Sequence, residues 1–378
     1  MTFADGRYMV LDKNEDRTGS LTGANGAAAG GACEATSAAA RPIGIFDSGV
    51  GGMTVALEIM RQLPNESLVY FGDTLRCPYG PRALSEISEF AVQISIWLAR
   101  QNVKLIVIAC NTATAAALDL IRQISPVPVI GVIEPGARAA VAATVNRNVG
   151  VIGTTATIES GAYSTTIRQI DPKITVFSTP TPRFVEIVEA GLRLDRNPLE
   201  DFIAPVSSIY IRPAFQEIAR DYLDSLRRSG IDTLVLGCTH YPLIAPLISS
   251  CIGPDVRIIS SAEETAHDVA RELSRLGQLA RGDFEAAPAD AESGLADSRQ
   301  PSPAVVAARH RFVTTGSDLD DFRTISSAIL GLPIASVEQV SLAELESCQV
   351  PAGASPVAAS GGANPVTASG DSPSEVSK

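Results

Sequence analysis

The sequence predicts an α/β protein made of two pseudo-symmetric, doubly wound domains that face each other across a cleft. Short aliphatic runs alternate with helix-length amphipathic segments, which is typical of parallel sheets with helices on both faces. The chain also falls into two similar halves, opened by "IGIFDSGVGG" and "VGVIGTTATIESG". Each half contains a strand that ends in a cysteine. A single (β/α)₈ barrel is the alternative, but two facing domains explain the duplication more simply.

Nine segments read as strands. They are, in order, "PIGIFD", "SLVYFGD", "KLIVIA", "VPVIGV", "NVGVIGT", "KITVFST", "DTLVLG", "VRIISS" and the later "RHRFVTT". Between them lie amphipathic stretches such as "ALSEISEFAVQISIWLARQ" and "RPAFQEIARDYLDSLRRSG", the second of which ends at Gly230, a helix C-terminal signal. Ligands of such sheets bind at the carboxyl ends of the strands.

Three further segments are rich in small residues and proline without periodicity, and we expect them to be flexible. They are a leader over 1–40, an insertion over 281–307 and a tail over 345–378. Structured sequence resumes after the insertion, which therefore does not mark a domain boundary.

Composition and charge exclude several classes of protein. The net charge of −12 argues against a nucleic-acid or anionic-membrane surface. No apolar run has the length of a transmembrane helix, and acidic residues near the N-terminus are unlike a signal peptide. The six cysteines include no CxxC pair, so we expect reduced thiols and a cytoplasmic protein rather than a disulfide framework or a zinc site.

Two cysteines stand in matched settings. Cys110 and Cys238 each follow an apolar run and precede polar residues, Asn111 and Thr112 in one case and Thr239 and His240 in the other. At the N-terminal turn of a following helix, backbone N–H groups and the helix dipole would favour a thiolate and lower the pKa. Either cysteine alone would suit a small buried position, but the repetition favours a site. Cys77 lies in a loop that we expect near the site, where the proline after it favours a turn position over a nucleophile.

Two carboxylates also follow strands. Asp47 precedes the glycine-rich turn "SGVGGMT", and Asp73 ends "VYFGD". The turn lacks the GxGxxG and GKT forms of nucleotide-binding loops, and a nest for a small carboxylate fits equally well. Glu189 lies three residues after Glu186 on a predicted helix, where solvent exposure is the ordinary expectation. With His240 as the only histidine in a motif, no metal site is expected.

Opposed thiols suit two kinds of chemistry. A disulfide redox couple is one, although its cysteines are usually close in sequence. The other is inversion of a stereocentre beside a carboxylate, in which one group removes the α-proton and the other returns a proton to the opposite face.

A series of motifs resembles the glutamate racemase family, in order and spacing, over about 42–278 and 309–333. It comprises "IGIFDSGVGGMTV", "VYFGDTLRCPYG", "VIACNTATAAAL", "PVIGVIEPGARAA", "VGVIGTTATIESGAY", "RFVEIVEAG", "LVLGCTHYPLI" and "FVTTGSDLDDFRTISSAILG". The resemblance implies cofactor-independent interconversion of L- and D-glutamate, with the D-isomer supplied to peptidoglycan synthesis. It also implies a homodimer, and a first domain over 41–134 plus 260–336 with a second over 135–259.

By the same resemblance, Cys110 takes the α-proton of D-glutamate and Cys238 that of L-glutamate. Asp47 and His240 match residues that assist these thiols, and Glu189 matches an acidic residue near the second. The implied substrate-binding residues are Asp47, Ser48, Asp73, Tyr79, Gly80, Asn111, Thr112, Thr239 and His240. Aspartate racemase is the alternative, but it typically has Glu at the position of His240. Inhibition of DNA gyrase, a second role of some members, is left open.

Overall fold

A computed structural model describes residues 38–194, 212–280 and 309–349 of the chain. Within these segments the backbone forms two separate parallel sheets, of six and four strands. The strands are β1 (Ile43–Asp47), β2 (Leu68–Gly72), β3 (Leu105–Ile108), β4 (Val129–Gly131), β5 (Asn148–Gly153), β6 (Thr175–Pro180), β7 (Thr233–Gly237), β8 (Arg257–Ser260), β9 (Arg311–Thr314) and β10 (Glu338–Gln339). The two-sheet α/β architecture is confirmed, and the barrel is excluded.

Helices connect most of these strands. They are α1 (Met53–Gln62), α2 (Leu84–Arg100), α3 (Asn111–Ile124), α4 (Ile133–Ala143), α5 (Thr155–Glu159), α6 (Ala162–Ile170), α7 (Arg183–Leu194), α8 (Pro213–Arg228), α9 (Ala245–Ile252), α10 (Ser261–Arg275), α11 (Leu319–Leu330) and α12 (Leu342–Glu346), with a 3₁₀ turn at Tyr241–Ile244. None of the helices in the described segments has the length and apolar character that a bilayer crossing requires.

The six-stranded sheet has the order β10-β9-β2-β1-β3-β4, and the four-stranded sheet has the order β6-β5-β7-β8. All residues of β1, β2, β3 and β7 are buried. This explains their nearly continuous apolar sequences, because a parallel strand covered on both faces needs no polar alternation. The pairing is in register, so that Asp47 lies opposite Gly72, and Gly153 lies opposite Gly237. The carboxyl ends of the central strands therefore meet at one edge of each sheet.

The strands divide between the sheets much as the predicted domains divide the chain. β1 to β4 with β9 and β10 form one sheet, and β5 to β8 form the other. α10 packs against both α1 and α4 and so joins the two halves. The predicted boundaries stay predictions, although β8 ends at Ser260, beside the predicted boundary between 259 and 260.

The nine predicted strands correspond to β1 to β9, whereas β10 was not predicted. The predicted start of the tail at residue 345 needs correction, because α12 continues to Glu346. Leu345 and Cys348 are buried, and Trp97 Nε1 donates to Glu344 Oε1 at 2.7 Å. The insertion over 281–307, the tail beyond 349 and nearly all of the leader lie outside the described residues.

Candidate active site

A cavity of about 220 Å³ lies where the carboxyl ends of the two sheets face each other. Both matched cysteines line it, as do hydroxyl, amide and backbone groups from the two halves. The lining residues are Ser48, Cys77, Pro78, Tyr79, Gly80, Pro81, Cys110, Asn111, Thr112, Thr154, Thr155, Pro182, Val185, Glu186, Gly237, Cys238, Thr239 and His240.

Cys110 follows β3 and is the N-cap of α3. Its Sγ accepts a hydrogen bond from the Ala113 amide at 3.5 Å, so the predicted position at a helix N-terminus is correct. The expected lowering of the pKa is not found. Burial raises the pKa of the Cys110 thiol far above its ordinary value, and the negative charge of Asp47 raises it further, against the weaker effect of the Ala113 amide. Desolvation outweighs the helix terminus here, and Cys110 is a neutral thiol in the substrate-free protein.

Asp47 is fully buried behind this thiol. Its Oδ2 accepts hydrogen bonds from the amides of Gly49 at 3.3 Å and Gly52 at 2.9 Å. The glycine-rich turn is therefore a carboxylate nest, and the carboxylate that these two amides hold is that of Asp47 itself. Oδ1 has no hydrogen-bond partner among the described residues, so one oxygen remains free to accept a proton or a hydrogen bond.

Cys238 follows β7 and lies beside His240. The distance from Cys238 Sγ to His240 Nδ1 is 3.7 Å, and His240 Nε2 lies 3.5 Å from Glu189 Oε1. Burial by itself would lower the pKa of His240, but its contacts with Cys238 and Glu189 outweigh burial and raise the pKa to about 10. The imidazole is thus a cation at neutral pH, and it lies beside the Cys238 sulfur.

Residues from the first half of the molecule pack against His240 and Thr239. A Cβ atom placed on Gly51 would come within 2.5 Å of the imidazole and 2.6 Å of Thr239 Oγ1. Thr54 Oγ1 lies 2.9 Å from the carbonyl oxygen of Thr239 and can donate to it across the cleft. The turn before α1 therefore contacts the neighbours of both thiols. Its Gly52 amide binds Asp47, which lies near Cys110, and its Gly51 lies against His240, which lies near Cys238.

Amide and hydroxyl groups complete the lining. Tyr163 OH donates to Asn111 Oδ1 at 2.8 Å, while the Asn111 Nδ2 group has no partner among the described residues. Thr112 Oγ1 lies 3.0 Å from both Thr154 Oγ1 and Thr157 Oγ1. These contacts join the start of α3 to the N-cap and first turn of α5, so that each half contributes hydrogen-bonding groups to one cavity.

Asp73 lies outside the cavity lining. Its Oδ2 accepts from Arg76 Nε at 2.6 Å and from the hydroxyl of Tyr79, and its Oδ1 accepts from Thr315 Oγ1 at 2.9 Å. Tyr79 does line the cavity, with its hydroxyl directed to Asp73. Asp73 therefore meets the cavity through Tyr79 rather than directly.

Nine of the predicted site residues line the cavity, namely Ser48, Tyr79, Gly80, Cys110, Asn111, Thr112, Cys238, Thr239 and His240. Asp47, Asp73 and Glu189 lie behind it, and Glu186 lines it instead of Glu189. Thr154 and Thr155 are among the lining residues that were not predicted. Their signal was present in the parallel between "VGVIGTT" and "IGIFDSG", since both loops follow the first strand of a half. Within the described segments, no group of three His, Cys, Asp or Glu side chains is placed to hold a metal ion.

The comparisons with known proteins agree on one family. The profile of Asp/Glu/Hydantoin racemases matches residues 53–269. Glutamate racemase from Bacillus cereus is 39% identical over 302 residues, which is 80% of this chain and 97% of the relative. Glutamate racemase from Exiguobacterium sibiricum is 46% identical over 259 residues, 68% of this chain and 89% of the relative.

Solved structures agree. The crystal structure of glutamate racemase from Bacillus anthracis has a TM-score of 0.65 and 41% identity, covering 80% of this chain and 98% of that one. Glutamate racemase from Francisella tularensis, solved with D-glutamate, has a TM-score of 0.65 and 32% identity, covering 82% and 99%. The chain therefore belongs to the Asp/Glu/Hydantoin racemase family, among its glutamate racemases.

Proposed function

We propose that this protein interconverts L- and D-glutamate by a two-thiol, cofactor-independent 1,1-proton transfer. The observation that carries the proposal is the presence of Cys110 and Cys238 in the lining of one cavity, one from each half of the molecule. Inversion at Cα requires a base on one face and an acid on the other, and two thiols contributed to one cavity by different halves support such a pair.

The two thiols differ in a way that suits one direction of the reaction. With L-glutamate bound, the sulfur of Cys238 takes the α-proton as a thiolate. Cys110 then donates its thiol proton to the opposite face of the carbanion, which gives D-glutamate, a Cys238 thiol and a Cys110 thiolate. In the reverse direction Cys110 is the base and Cys238 the acid. The high pKa of Cys110 and the cationic His240 support this assignment of protonation states.

The neighbouring acidic groups assist each thiol. Asp47 lies close enough to Cys110 to affect its pKa, and its free Oδ1 is suited to accept a proton or a hydrogen bond beside that thiol. Glu189 holds the imidazolium of His240 next to Cys238. We propose Asp47, His240 and Glu189 as the residues that assist catalysis without forming or breaking bonds to carbon.

Substrate binding is proposed to rest on hydrogen bonds rather than on fixed cations, because no Lys or Arg belongs to the described lining. Backbone amides, hydroxyls and the free Asn111 amide can hold two carboxylates, as charge-assisted hydrogen bonds do elsewhere. The proposed binding residues are Ser48, Tyr79, Gly80, Asn111, Thr112, Thr239 and His240. For Asp73 and Asp47 the proposed part is indirect, through Tyr79 and the glycine-rich turn.

The cellular setting is proposed by analogy with the family. We propose a cytoplasmic homodimer that supplies D-glutamate for peptidoglycan. Gel filtration with light scattering would test the dimer. A strain that depends on added D-glutamate would test the supply, because the gene should restore its growth without the supplement.

The decisive experiment follows each isomer in D₂O without added cofactor. Wild-type protein should racemise L-glutamate and D-glutamate, and each product should carry deuterium at Cα. Cys110→Ser and Cys238→Ser should each abolish racemisation, whereas Cys251→Ser, a change outside the cavity lining, should not. Undiminished turnover in both cavity variants would refute the two-thiol mechanism. Faster turnover of aspartate than of glutamate by the wild type would favour aspartate racemase instead.

A further inference from the structure

One motif has entered the description of the site only through a hydrogen bond to Asp73. The segment "VTTGS" ends β9, far along the chain from both thiols, and its residues Thr314, Thr315 and Gly316 pack against the loop that leads from β2 to the cavity wall at Tyr79 and Gly80. Thr314 and Thr315 are both buried.

The hydroxyl of Thr315 makes two hydrogen bonds to this loop. It donates to Asp73 Oδ1 at 2.9 Å and accepts from the Leu75 amide at 3.0 Å. Asp73 is fully buried and uses its other oxygen to hold Arg76 and the Tyr79 hydroxyl. A single hydroxyl group therefore connects β9 to the side chain that fixes Tyr79.

Neighbouring contacts make this connection stiff. Thr314 Oγ1 lies 2.6 Å from Thr74 Oγ1, and the Gly316 amide donates to the same Thr74 oxygen at 3.0 Å. On the other side of the loop, the Arg76 guanidinium lies 4.0 Å from the centre of the Phe90 ring and donates to Gln93 at 2.7 Å. The loop is thus clamped from β9 and from α2, and its free side is the cavity wall.

We propose that Thr315 is a positioning residue for substrate binding, acting through Asp73 on Tyr79 and Gly80. The proposal rests on the proposed function, since it takes the bound molecule to be the anionic amino acid. Thr315 does not belong to the described cavity lining, and its hydroxyl is bonded to Asp73 and to the Leu75 amide instead. Its loss should therefore weaken binding of the substrate without changing the acid and base groups.

The test compares Thr315→Val with Thr315→Ser. Valine keeps the shape but leaves Asp73 Oδ1 and the Leu75 amide without this partner, while serine keeps the hydroxyl. We expect Val to raise KM for L-glutamate about fivefold to tenfold, the effect of one or two lost hydrogen bonds, with kcat within about twofold of wild type. Serine should restore KM. Thr265→Val is the matched control, because Thr265 is also buried but donates only to Ser261 O within α10.

Amide hydrogen exchange of the peptide over 73–80 gives a readout that does not need turnover. Thr315→Val should speed exchange in this peptide, and Ser and the Thr265 control should not. An unchanged KM in Thr315→Val, or a fall in kcat alone, would overturn the proposal. An inactive wild type would overturn the proposed function instead, and the exchange comparison would still support or overturn the clamp.

Discussion

Cys238 Sγ and His240 Nδ1 lie 3.7 Å apart, and the second nitrogen of the same ring lies 3.5 Å from Glu189 Oε1. The thiol, imidazole and carboxylate thus form a continuous line in which the histidine is buried. No second imidazole belongs to the described lining. The charged side chain that raises the pKa of Cys110 is the carboxylate of Asp47. The two halves of the site are therefore alike in position but different in charge.

The first prediction concerns pH and stability. The pKa of His240 is raised to about 10 in the folded protein, against about 6.5 in an unfolded chain. Because the raised value belongs to the folded state, the charged histidine stabilises the fold fully below about pH 6.5, and this contribution is lost as the pH rises towards 10. His240→Asn should therefore destabilise the protein more at pH 6 than at pH 10.

Urea denaturation at the two pH values measures this difference, with His267→Asn on the exposed face of α10 as the control. An equal effect of His240→Asn at both pH values would contradict the assignment of the charge.

The second prediction concerns the close packing of Gly51 against His240. Gly51→Ala would place a methyl group within 2.5 Å of the imidazole, so the ring or the turn must shift, which changes the 3.7 Å contact between His240 Nδ1 and Cys238 Sγ. Displacements of about 1 Å at a reacting group can lower rates on the order of 100-fold, and we expect a loss of kcat between tenfold and that value. The circular dichroism spectrum should stay that of wild type.

Gly49→Ala provides the comparison, because a Cβ there meets only Cys77 Sγ at an ordinary contact of 3.4 Å. Its loss of kcat should be clearly smaller. Equal losses in both variants would show that the turn as a whole, rather than the contact with His240, is responsible.

The third prediction concerns the orientation of Asn111. Tyr163 OH donates to Asn111 Oδ1 at 2.8 Å, which turns the Nδ2 group of the amide towards another partner. Tyr163→Phe removes this constraint and should raise KM for glutamate about fivefold, the usual effect of one hydrogen bond. Steady-state kinetics in both directions would measure it, with Tyr222→Phe as the control, because Tyr222 does not belong to the described lining. A fall in kcat at constant KM would contradict this role.

The fourth prediction concerns a buried ion pair remote from the cavity. Lys104 Nζ lies 2.5 Å from Glu66 Oε2 and donates to the carbonyl oxygens of Ala39 and Gln278. Lys104→Met should lower the free energy of unfolding by about 3–5 kcal/mol, because it leaves a buried carboxylate unpaired. The double variant with Glu66→Leu should lose less than the sum of the single changes. Urea denaturation followed by the fluorescence of Trp97, the one tryptophan of the chain, measures both.

Turnover per folded molecule should not change in these variants. A loss of kcat equal to that of the Gly51 variant would contradict the separation of this ion pair from the site.

The order of strands and helices was accessible from the sequence because the buried strands are continuous apolar runs. "IGIFD" and "TLVLG" have no competing interpretation as amphipathic helices, and both are buried strands. β10 has only two residues, both exposed, so no hydrophobic pattern exists to predict it. The helix at Leu342–Glu346 could not be predicted for a similar reason. A helix of five residues is too short to show a hydrophobic period, and this one packs against α2.

The site was partly accessible in the same way. Repetition of an apolar run ending in cysteine identified Cys110 and Cys238 as a pair. The sequence could not show which residues line the cavity and which lie behind the lining. Asp73 and Tyr79 are six residues apart in one loop, yet only the packing shows that the first lies behind the second. The pKa of Cys110 was misjudged for the same reason, because desolvation depends on atoms brought there by the tertiary fold.

The ion pair of Lys104 and Glu66 also has a practical consequence. Lys104 immediately precedes β3, whereas Cys110 follows the same strand, so the pair lies at the opposite edge of the sheet from the cavity. Ala39, Gln278 and Ala280 are fastened there, and Arg311 begins β9 at that edge as well. The described chain therefore begins near Ala39, stops near Ala280 and resumes near Arg311 on the side of this sheet away from the cavity. Attachment of the enzyme to a bead or a scaffold at these positions should keep the mouth of the cavity open to incoming amino acid.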